Sequence, residues 1–191
     1  MKGIALLGLV VSSFAASANW QLDNSQSSLD FVSVKNDIIA ETSQFSQLEG
    51  EWLPDGSVNI TIPVSSLQTH VPIRDERIWE FVLDAEKFPK ITATAKVSPE
   101  TVSKLAAGQS TTLETSVGVT LLTETVPVNA KIKITRLTTD TILVNTIAPL
   151  MLNTDSFTLT AGVSKLQQLA GLTSISPLVP VNFSVTFRQA K

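Results

Sequence analysis

Most of this chain alternates with a period of two. Val179, Val181, Phe183, Val185 and Phe187 interleave with Pro180, Asn182, Ser184, Thr186 and Arg188. In an extended chain successive side chains point to opposite faces, so this segment has one apolar face and one wet face, with Ser184 and Thr186 on the wet one. Val58, Ile60, Ile62 and Val64 repeat the pattern, as do Leu113, Thr115, Val117, Val119 and Leu121. Val128, Ala130, Ile132 and Ile134 repeat it again, with Lys131 and Lys133 turned outward. Further strands are predicted over 27–35, 40–53, 91–97 and 141–151, about eight in all. Asp55-Gly56 between two such runs marks a tight hairpin. Antiparallel strands with one apolar face each must stack as a sandwich or close as a barrel, and periodicity alone leaves both open.

Three segments depart from this period. From Pro72 to Leu83, residues Ile73, Arg77, Ile78 and Phe81 have helical spacing. Ser98-Pro99-Glu100 has the order of an N-cap, a first-turn proline and a first-turn acid, with Gly108 shortly beyond. Val163, Leu166, Leu169 and Ala170 form an apolar stripe that Gly171 would terminate. The expectation is an all-β fold with one to three short helices.

Lys2, the apolar run Ile4 to Val11 and the small-x-small sequence Ala16-Ser17-Ala18 are the parts of a secretory signal peptide. The run is shorter than the roughly 20 residues of a membrane-spanning helix. The expected organisation is therefore a leader over 1–18, one domain over 19–191, periplasmic localisation and no integral membrane span. The chain has no cysteine, which removes disulfides, thiolate metal sites and a lipoprotein anchor. A transmembrane barrel is disfavoured because the chain has no tyrosine for aromatic girdles.

With 14 basic and 17 acidic residues and no basic run, the chain has no electrostatic footprint for nucleic acid. His70 is its one histidine, too few for the usual zinc sites, and no serine sits in a Gly-x-Ser-x-Gly elbow. The neighbouring acids Asp75 and Glu76, Asp84 and Glu86, and Glu49 and Glu51 are pairs that any acidic protein supplies. The chain carries no phosphate-cradling glycine loop. A protein without enzymatic activity, cofactor or metal is expected.

Several segments together resemble the YceI-like family of periplasmic, lipocalin-like polyisoprenoid-binding proteins. They are Trp20-Gln21-Leu22-Asp23 with Ser27 and Phe31, and Arg74-Asp75-Glu76-Arg77-Ile78 running through Phe81 and Asp84 to Phe88-Pro89-Lys90-Ile91. The stretch from Leu113 through Thr120-Leu121 to Pro127-Val128 continues the likeness. Gln26 and Asn36 stand where family members often carry histidine, and Gly162 to Ser176 is longer than the family's minimal pattern.

The resemblance implies an elongated, eight-stranded antiparallel lipocalin-like barrel that holds an amphiphilic isoprenoid, quinone-like or fatty-acyl lipid, as a monomer or homodimer. The candidate ligand-binding residues are Phe31, Trp52, Arg74, Trp79, Phe81, Phe88, Phe183 and Val185. Arg74 has two readings, headgroup contact or ion-paired pin for the helix. The rival to a lipid carrier is a structural or protein-interaction barrel with a filled core.

Overall fold

The computed structural model describes residues 19–190; the expected leader over 1–18 lies outside them. The strands are β1 (Trp20–Lys35), β2 (Ile39–Phe45), β3 (Glu49–Trp52), β4 (Ser57–Pro63), β5 (Leu67–Gln68), β6 (Lys90–Lys96), β7 (Ser110–Leu121), β8 (Glu124–Arg136), β9 (Thr141–Thr146), β10 (Leu150–Asn153) and β11 (Leu178–Gln189). All pairings are antiparallel, and the bond between β11 and β1 closes the sheet.

Closure is confined to one half of the molecule. In the lower half β1, β3, β4, β6, β7, β8, β9 and β11 form a complete eight-stranded ring. In the upper half the sheet is split, with β10-β11-β1-β2-β5 on one side and the upper ends of β4, β6, β7 and β8 on the other. The expected single strands over 40–53 and 141–151 are each broken in two at the level where the ring opens. At the first break, the side chain of Asn24 donates to the Ser46 carbonyl at 3.2 Å and accepts from the Leu48 amide at 2.7 Å. The second break contains Pro149, which has no amide hydrogen to give a ladder.

Asn24 belongs to a bulge in β1. Asp23 pairs with Thr186 and Ser28 with Ser184, so extra residues of β1 loop out between them. This corrects the expected exposure of Thr186, which is only 5% exposed. The bulge folds over it: its hydroxyl donates to the Gln26 carbonyl at 2.9 Å and its amide donates to Ser27 Oγ at 3.0 Å.

Elsewhere the alternation holds, with Ala130, Ile132 and Ile134 buried on β8 and Lys131 and Lys133 exposed between them. Glu114 lies opposite Lys131 on the outer face.

Helices cover both ends. Helix α1 (Pro72–Arg77) starts on its proline and runs into a wider π-type turn over Ile78–Val82, where the Leu83 amide reaches back to the Ile78 carbonyl at 2.9 Å. Trp79 pins this turn by donating its indole N–H to the Val64 carbonyl at 2.9 Å. Helix α2 (Pro99–Ser103) closes the bottom with Val102 buried; the Ser98 hydroxyl makes no capping bond. Helix α3 (Thr160–Ala170) begins before the apolar stripe and ends at left-handed Gly171, φ 63°. It packs on the π-type turn, and these two helical segments fill the gap in the upper sheet.

Candidate ligand-binding cavity

Strand alternation continues along a single internal path. The inward residues of β11 run Val179, Val181, Phe183, Val185, Phe187 from top to bottom, and those of β1 continue the path upward as Leu29, Phe31, Ser33, Lys35. Because Phe31 pairs with Val181, the path from Phe187 to Lys35 follows about ten strand residues, or ~30 Å along the strands.

Three chambers lie along it, with volumes of about 100, 240 and 310 Å³ from bottom to mouth. Leu29, Ile62, Ala93, Val117 and Phe183 line both the lower and middle chambers. Phe31, Ser33, Ile78, Leu166 and Ile175 line both the middle chamber and the mouth. Together the chambers fall within the ~300–1,000 Å³ typical of small-molecule sites.

The lower chamber is apolar apart from Thr94 and Thr115. Its floor is Trp52 against Phe187, edge to face with ring centroids 5.9 Å apart. Below them the Arg136 guanidinium lies 6.0 Å over the Trp20 ring. In the middle chamber the strand side carries Phe31 and Phe45, 5.8 Å apart. The helical side carries Ile78, Val82, Phe157, Val163 and Leu166.

Charge enters only at the mouth, which is lined by Lys35, Arg74 and Arg77 with Ser33, Ser43 and Thr69. Glu41 of β2 pairs with Lys35 at 2.6 Å and also with Arg74. Its carboxyl is held below the ordinary 4.5, chiefly by the hydrogen bond from Lys35 and further by the Arg74 charge, although burial opposes the shift. Asp75 turns back to accept from the Thr69 amide at 2.9 Å and from its hydroxyl.

Gln26 and Asn36 occupy structural positions. Gln26 lies in the bulge over Thr186, and Asn36, at φ 49°, accepts from both the amide and hydroxyl of Thr173 at 2.9 Å. Asp37 likewise accepts from the Ser174 hydroxyl at 2.6 Å. These bonds tie the long 162–176 segment to the β1–β2 hairpin and draw a strap across one side of the mouth.

Among the candidate residues, Trp52 and Val185 line the lower chamber and Phe183 its junction with the middle one. Phe31 lines the middle chamber and the mouth, and Arg74 the mouth. Trp79, Phe81 and Phe88 line none of the three. Trp79 is engaged with Val64, and Phe81 lies outside beneath the Lys165 ammonium, 6.0 Å from its ring.

Leu29, Ser33, Ser43, Val163 and Leu166 are lining residues that sequence reasoning did not select. The α3 stripe carried a usable signal for the last two, since an apolar helix face needs a surface to cover. His70 is exposed, at φ 63°. Among the described residues no group of three or more acids and histidines is placed to hold a metal, and no helix is long and apolar enough to cross a membrane.

Comparison with known proteins places this geometry. The model of the YceI-like domain matches residues 20–187. The structure of a polyisoprenoid binding domain from Saccharophagus degradans implicated in plant cell wall breakdown is similar, with TM-score 0.87 and 27% identity over 90% of this chain and 98% of that one. BcnA of Burkholderia cenocepacia is similar in fold, with TM-score 0.65 and 16% identity over 86% of this chain and 98% of that one. A mutant YCEI protein of Campylobacter jejuni is more distant, with TM-score 0.53 and 14% identity over 78% of this chain and 84% of that one. No curated protein matches the chain.

Proposed function

The chain belongs to the YceI-like domain family, and from that premise we propose that it is a periplasmic binding or carrier protein for a long-chain amphiphile. The ligand is an isoprenoid, quinone-like or fatty-acyl lipid, with its tail in the barrel and its head at the mouth. The observation that carries this reading is the one-ended polarity of the cavity, two apolar chambers in line beneath a mouth that holds three cations. Burying about ten methylenes at roughly 0.8 kcal/mol each contributes ~8 kcal/mol gross, enough for micromolar binding before ordering costs. The likeness to a polyisoprenoid binding domain supports the same ligand class.

Nothing in this arrangement calls for bond chemistry: the chambers place no acid–base pair or nucleophile against a tail. We read the protein as one that binds rather than transforms. The leader sequence supports export, and intact-mass analysis of protein from a periplasmic fraction should find Asn19 at its N-terminus.

Organic extraction of protein purified from its native compartment, followed by mass spectrometry, tests the binding reading. A stoichiometric long-chain lipid is expected. Lipid-free protein that also rejects every added amphiphile would leave the chambers as packing defects and favour the interaction module.

A further inference from the structure

The three cations of the mouth are not equivalent. Lys35 and Arg74 share the one carboxylate of Glu41. Arg77 lies one helical turn beyond Arg74 and lines the same chamber, yet it has no ion-pair or side-chain hydrogen-bond partner among the described residues. Among the described residues no fully buried side-chain nitrogen or oxygen lacks a partner, so the unpaired Arg77 guanidinium is accessible rather than sealed in the interior, on a side chain that lines the mouth.

Ser33 and Ser43 line this chamber as well, and their hydroxyls have no protein partner among the described residues; the Thr69 hydroxyl is engaged with Asp75. The mouth therefore presents one unpaired cation, beside two that share a single carboxylate, together with free hydroxyl donors at the upper end of an apolar tunnel. A guanidinium has five donors and no acceptor capacity, and it fits the paired oxygens of a carboxylate or phosphate. An alcohol or amide head leaves that charge unmatched.

We infer that the mouth selects an anionic headgroup, carboxylate or phosphate, with Arg77 its binding residue and Arg74 a positioning residue that fixes α1 to β2. This rests on the reading that the chambers hold the tail.

The test uses protein freed of co-purified lipid and titrated calorimetrically with palmitate, hexadecyl phosphate and hexadecanol, which share one tail. Charge-assisted hydrogen bonds should make the better anion bind about tenfold or more tighter than the alcohol, and the tighter anion identifies the head chemistry. Arg77→Gln should abolish the preference and leave hexadecanol affinity unchanged, and Arg77→Lys should restore part of it. Arg74→Gln should lower the melting temperature and weaken all three probes alike.

Equal binding of the three probes by wild type, or equal loss of all three in Arg77→Gln, overturns the headgroup assignment and leaves the tail site standing. Failure of every probe to bind wild type overturns the tail site itself, and the assignment with it.

Discussion

Gly162 of α3 lies so close to Phe81 of the π-type turn that a Cβ added to it would come within 2.1 Å of the Phe81 carbonyl oxygen. The absence of a side chain there lets α3 settle on the turn and bring Val163 and Leu166 to the middle chamber. Gly162→Ala must push the two segments apart. A loss of about 1–3 kcal/mol is expected from the overlap, seen as a lower melting temperature together with reduced retention of lipid. Unchanged values for both would show that the contact does not shape the chamber.

The inward register of β11 predicts that Val185→Trp fills the lower chamber. The variant should retain less lipid, and the lipid that remains should have shorter tails. Ser116→Trp, on the exposed face of β7, is the control that should leave lipid content unaltered. Thr186 cannot serve as that control, because the bulge of β1 covers it.

Glu41 predicts an acid-sensitive contribution to the mouth. Its folded pKa lies below the ordinary 4.5, so its contribution is complete above that value and fades as pH falls through the lowered folded value. Because the Glu41 side chain is 34% exposed, the contribution should stay under about 1 kcal/mol. Melting temperatures of wild type and Glu41→Gln, measured from neutral pH downward, should converge below pH 4.5. A gap that widens in acid would contradict the ion-paired arrangement.

Asp55 predicts an acid-shifted titration. It lies within the β3–β4 turn and accepts from the Ser57 amide at 2.9 Å and from the Lys96 ammonium at 2.9 Å. Led by the bond from the Ser57 amide, these contacts take its carboxyl from 3.8 down to about 2. Its stabilising effect on the turn is complete above 3.8 and is lost as pH falls toward 2. Carboxyl-carbon NMR should follow this titration directly, and an Asp55 midpoint near 3.8 would rule out these contacts in solution.

The barrel's inner face was legible because the alternation of β8 and β11 is local: each strand's own sequence says which residues point inward. The strand breaks were not, since they depend on where Asn24 of a distant strand meets Ser46 and Leu48. Thr186 was misread for the same reason, with the carbonyl that receives its hydroxyl belonging to Gln26 near the other end of the chain. The candidate cavity was partly legible. Phe183 and Val185 could be placed by strand period, whereas the direction of Trp79, Phe81 and Phe88 depends on how a helical segment and its neighbouring turn roll against the sheet. Hydrophobic character alone does not encode that roll.

The confinement of ring closure to the lower half gives the molecule two mechanical grades. Below, every strand of the ring is paired on both sides, and any opening must break a continuous hoop. Above, the two-residue β5, the four-residue β10 and a pair of short helices form a collar that can loosen without disturbing the hoop. Since local openings cost far less than global unfolding where ladders are short, the collar should open, and exchange its amide hydrogens, well before the hoop does.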